Sequence, residues 1–127
     1  MSKIIKLFFV RPSGYGLLLE GENLRQFNLL HKQAIAAYQK TYHVLEKISG
    51  RRVNINYQVV EPILIPTNEK NQPANKIIMV KDDGTSIMLE NETFNFYHKH
   101  HFIGLKLLNK KSKIKGQLVR VTITTGI

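Results

Sequence analysis

The chain of 127 residues contains no cysteine. That excludes disulfides, thiolate metal ligands and a cysteine nucleophile. It also lacks any long apolar run. The longest, at residues 7–10, 17–19 and 63–65, fall far short of the ~20 residues that cross a bilayer. The apolar patch behind Lys3 is too short for a secretory signal and has no small-residue cleavage site. The expectation is a cytoplasmic protein without a membrane partner. A third absence is local: residues 93–127 hold no Asp or Glu.

What fills that acid-free section is positive charge. It carries Lys99, Lys106, Lys110, Lys111, Lys113, Lys115 and Arg120. The chain as a whole has 19 basic and 9 acidic residues, a net charge of +10. All the acids lie in residues 1–92, so most of the surplus sits in the last quarter of the sequence. One-signed charge gathered in one region attracts polyanions and accelerates their encounter. The apolar fraction of 43% and charged fraction of 22% are those of a folded globular chain. Residues 1–127 fit a single domain with a basic C-terminal section at 93–127, long enough to bury a sizeable core.

Apolar patterning predicts an α+β fold. Residues 3–11 read as a strand apolar on both faces, hence central. Pro12-Ser13-Gly14 marks a turn into a second strand at 15–20. From Leu24 the apolar positions Phe27, Leu30, Ala34, Tyr38, Tyr42, Leu45 and Ile48 step by three or four, predicting a helix of about 26 residues, capped by Asn23 and ended by Gly50. Residues 53–59 alternate, with Val53, Ile55, Tyr57 and Val59 inward. Residues 67–75 read as a long polar loop. Asp82-Asp83-Gly84 between two β-rich runs predicts a hairpin. Residues 93–97 and 102–108 read as extended, the latter pairing with a strand at 118–124 around a lysine-rich tip. No internal repeat stands out. The fold expected is one long amphipathic helix packed on a mainly antiparallel sheet of five to seven strands.

Four lysines within residues 110–115 would meet phosphates as point charges, without a code for base edges. The other reading of such a run is a solvated loop that keeps the protein soluble. Phe94, Phe96, Tyr97 and Phe102 interleave with the charge, and exposed rings beside cations can stack on unpaired bases. Set against that, Phe94, Phe96 and Phe102 are expected in the core, with Tyr97 alone partly wet. His98, His100 and His101 are the only cluster of metal-ligand residue types, but a site needs three or four ligands in a defined geometry. The expectation is surface histidines that add charge in mild acid, with no metal and no cofactor. Arg51-Arg52 complements the dipole of the preceding helix or extends a cationic surface. Phosphate-loop, nucleophile-elbow and zinc-finger patterns are absent.

These features point to a small basic protein that binds RNA or DNA without catalysing a reaction, within a nucleoprotein assembly. The contact residues expected are Lys99, Lys106, Lys110, Lys111, Lys113, Lys115 and Arg120, with Tyr97 beside them. The alternative is a structural or interaction subunit, either a virion component or an inhibitor docking on an acidic protein surface, with a homo-oligomer as a further partner expectation. A metal-independent ribonuclease using His31, His43, His98 or His100 ranks below both.

Overall fold

The computed structural model describes residues 3–38, 50–61, 73–109 and 116–124. The element order is β1 (Ile4–Val10), β2 (Tyr15–Glu20), α1 (Gly21–Tyr38), β3 (Arg51–Val59), β4 (Lys76–Lys81), β5 (Ser86–Glu90), α2 (Asn91–Leu107) and β6 (Gln117–Thr124). Among the described residues six strands close into an antiparallel barrel in the order β1-β2-β6-β3-β5-β4. The α+β class and the antiparallel sheet agree with the sequence reading. The sheet is closed, however, and among the described residues a second helix joins the one expected.

The second helix is a correction. Residues 91–107 form α2, where a strand at 93–97 and another at 102–108 were expected. The final hairpin therefore does not exist. β6 pairs instead with β2 and β3. The rings of Phe94, Phe96 and Tyr97 favour strands locally, but their burial follows a helix. Phe94, Tyr97, His101, Gly104 and Leu105 are the buried positions, spaced by three or four. Treating His101 as a surface residue hides that stripe.

α1 begins at Gly21, ahead of the proposed cap Asn23, and is described to Tyr38; the rest of the predicted helix lies outside the described residues. Gly50 is not a left-handed cap. A Cβ there would meet the side chains of Ile87 and Leu89 and the carbonyl of Met88, so its role is close approach to β5. The extended stretch at 62–66 and the lysine tip at 110–115 also lie outside the described residues.

The chain is built from two copies of a hairpin–helix–strand unit, which corrects the expectation of no repeat. Moving residues 6–34 forward by 70 places β1, β2 and α1 on β4, β5 and α2 without a gap. Lys6/Lys76, Val10/Val80, Gly14/Gly84, Leu19/Leu89, Glu20/Glu90, Glu22/Glu92 and His31/His101 are then identical. Gly21 and Asn91 match as well, both at positive φ (60° and 54°), which glycine and asparagine tolerate where each strand turns into its helix. The strand registers obey a twofold axis. Phe8 pairs with Ile78, its own counterpart, flanked by Leu7–Met79 and Phe9–Ile77. Asn56 pairs with Thr122, flanked by Ile55–Ile123 and Tyr57–Val121. Gly50 lies against β5, and its counterpart Gly116 lies against β2.

Two apolar cores follow from this arrangement. Phe8, Val10, Leu18, Val53, Ile78, Met88, Val119 and Val121 fill the barrel. Leu7, Leu19, Leu24, Phe27, Ile77, Met79, Leu89, Phe94 and Tyr97 form a second core between the barrel wall and the two helices. β1, predicted to be apolar on both faces, feeds both cores. The helices pack across each other and on β1, β2, β4 and β5. The outward side chains of β3 and β6 are mostly exposed. Val59, expected inside, lies 64% exposed beyond the barrel core.

Candidate nucleic-acid interface

Strand alternation decides what the uncovered wall presents. Once Val53, Val119 and Val121 point inward, Arg52, Asn54, Asn56, Gln58, Arg120, Thr122 and Thr124 are exposed on the outside. Register sets them side by side: Asn54 opposite Thr124, Asn56 opposite Thr122, and Gln58 opposite Arg120. β2 continues the row, because Arg120 also pairs with Tyr15. The Arg120 guanidinium sits 5.8 Å from the centre of the Tyr15 ring. That distance allows a cation–π contact and leaves guanidinium donors at the surface. Neither β3 nor β6 contains an acidic residue. The wall is thus an acid-free sheet surface of amides, hydroxyls and arginine.

Along the outer face of β2, Leu17 follows Tyr15 at the next outward position. Phe9 and Arg11 hold the equivalent places on β1. Leu17, Phe9 and Arg11, without Tyr15, line a cavity of about 200 Å³. Phe27 of α1 and Phe94, Tyr97, His98, His101 and Phe102 of α2 complete its sides, and Pro73 and Ala74 its rim. The backbone positions that rim: the Asn75 amide donates to the Val10 carbonyl at 2.9 Å. Three rings run along α2 at four-residue spacing. Phe94 and His98 stack with centroids 5.5 Å apart, and His98 and Phe102 lie 4.4 Å apart. Phe102 is 41% exposed.

Behind the cavity, His31 and His101 meet where the helices cross, 2% and 4% exposed. Their Nδ1 atoms are 3.1 Å apart. One must donate and the other accept, so the two rings hold opposite tautomers. Burial pushes His31 down to about 3, helped by the charge of His101. Burial likewise lowers His101 to about 4, helped by His98. His98 is lowered by burial alone. Both histidines of the crossing are neutral near pH 7, which unfits them to add surface charge.

The described members of the expected site are dispersed. Arg120 is on the open wall. Lys99 and Lys106 are exposed on α2, and Lys106 extends the Phe94–His98–Phe102 spacing by one more turn. Lys110, Lys111, Lys113 and Lys115 lie outside the described residues. Tyr97 is 2% exposed in the helix core, so its ring is not a surface platform. Phe94 is buried as expected, whereas Phe96 and Phe102, expected in the core, are exposed. Sequence reasoning missed Tyr15, Arg11 and the β3 amides. The alternation of residues 53–59 was the signal that could have found the amides. Among the described residues no group of three or more His, Asp or Glu is placed to hold a metal, and no helix is long and apolar enough to cross a membrane. Comparison with known proteins gives no matching family, curated protein or solved structure.

Proposed function

We propose that this protein binds nucleic acid without catalysis, using the outer wall of β3 and β6 together with the basic C-terminal section. One observation carries the reading: the acid-free faces of β3 and β6, on which Arg120 sits between Gln58 of β3 and Tyr15 of β2, its guanidinium against the Tyr15 ring. Arginine supplies a forked donor for phosphate oxygens. The neighbouring amides and hydroxyls hydrogen-bond phosphate, sugar and base edges. A net charge of +10 adds long-range attraction.

Fluorescence anisotropy with labelled RNA and DNA oligonucleotides, titrated across salt concentrations, tests the proposal. Affinity is expected to fall linearly on a log–log plot, with a slope of about −0.7 per neutralised phosphate on single strands. The double variant Arg52→Glu, Arg120→Glu is expected to weaken binding at least about tenfold and to flatten that slope. Affinity indifferent to salt, or unmoved by the double variant, defeats the proposal.

A further inference from the structure

We infer that the cavity beside Arg11 is a pocket for one unpaired nucleobase, so that the favoured ligand is a single strand rather than a duplex. The inference rests on the nucleic-acid reading above and names its substrate class. The molecule supplies its own control, because each half shows what the shared fold requires. In α1 the positions matching Phe94, His98 and Phe102 are Leu24, Asn28 and Lys32. The fold is therefore satisfied by one apolar residue followed by two polar ones. Only α2 carries a file of three rings, and that file lines the cavity.

The same asymmetry extends over the surface leading to it. Arg11 stands where the other half has Lys81, Tyr15 where it has Thr85, and Arg120 where it has Asn54. Arg11, Tyr15 and Arg120 thus set planar groups on the side of the twofold axis where the cavity lies. Rings stack on a base whatever its identity, and arginines nearby suit the phosphates on either side of it. Among the described residues no carboxylate lines the cavity. Phe102 lines the cavity yet is 41% exposed, where its counterpart is a lysine, so its ring is accessible to an inserted base.

The test uses the intact protein and one oligonucleotide sequence in three forms: single-stranded, as a duplex, and single-stranded with a central 2-aminopurine. The wild type is expected to bind the single strand about tenfold or more tighter than the duplex and to quench the 2-aminopurine. Phe102→Ala is expected to remove most of that preference, since one stacked base accounts for roughly a tenfold effect. Phe102 is exposed, so the variant keeps its core; Lys32→Ala, at the matching place in α1, is expected to leave the preference intact. Equal affinity for single strand and duplex, or a Phe102→Ala protein with wild-type preference, overturns the pocket while the salt-dependent reading stands. Failure to bind any form overturns both. A nucleoside monophosphate that binds as tightly as the oligonucleotide overturns the strand assignment and gives the pocket to free nucleotides.

Discussion

His31 and His101 are described residues whose chemistry departs far from that of an exposed side chain. Each is nearly solvent-free, and each is flanked by rings: Phe27 stacks on His101 at 5.4 Å, and Tyr97 lies 5.1 Å from His31. Charging either one would place a cation among apolar groups, beside a neighbour that shares its proton. Their folded pKa values, about 3 and about 4, lie below the ordinary 6.5. Between those limits the unfolded chain binds more protons than the folded one, so stability rises with pH. The stabilisation is complete above about pH 7 and is lost as pH falls through 6 towards 4. With two such groups lowered together, the fall in stability with acid is steeper than one alone would give. Urea denaturation at several pH values measures it. The double variant His31→Phe, His101→Phe is expected to flatten the profile across pH 5–7; an unchanged slope would show that other groups set the acid sensitivity.

At the level of elements, the contact between α1 and α2 turns on a pair of small residues. A Cβ added to Gly104 would collide with the backbone of Ala34, including its carbonyl, and backbone cannot rotate away. Two effects oppose each other in Gly104→Ala. Helix propensity favours alanine by about 1 kcal/mol, whereas overpacking that separates two helices costs about 1–3 kcal/mol. The collision involves several backbone atoms, so overpacking wins, and Tm is expected to drop by ~3–8 °C. Ala34→Gly, which creates no clash, is expected to lose about 1–2 kcal/mol through propensity and its buried methyl group. A Gly104→Ala protein more stable than wild type refutes this account of the crossing. The same helix shows what could be read from sequence and what could not. α1 was legible because Leu24, Phe27 and Ala34 form an apolar stripe. α2 was not, because its stripe passes through His101 and Gly104, and its rings alternate over residues 93–97 as they would in a strand. The strands were mostly legible from alternation and turn chemistry. Barrel closure was not, since it depends on registers between strands distant in sequence. The open wall was only half visible: Arg120 could be suspected from charge, but Tyr15 joins it through a pairing that no local pattern reports.

For the whole molecule, the consequence of the twofold arrangement concerns connectivity. β3 leads to β4 through residues 60–75, and by symmetry β6 ends where a link of the same kind would reach β1. The strand pairs that join the halves, β1 with β4 and β3 with β6, lie on the axis, and the flanking pairs β2–β6 and β5–β3 are equivalent. Neither half owns a complete barrel, and the exposed Arg51–Glu90 ion pair at 3.0 Å adds little to their union. Order of the halves along the chain should then be of small importance to the fold. A circular permutant opened within residues 62–72, with residues 127 and 1 joined through about ten added residues, is expected to reform the same barrel. Loop-closure entropy changes only slowly with loop length, so the cost should stay within about 1–2 kcal/mol. Thermal and urea unfolding, followed by far-UV circular dichroism, should show one cooperative transition within ~3–8 °C of the parent Tm. Because Arg52, Tyr15 and Arg120 keep their neighbours, salt-dependent oligonucleotide binding should survive as well. A permutant that unfolds without cooperativity would mean that the two units are not interchangeable in order, and the symmetric account of the barrel would fail with it.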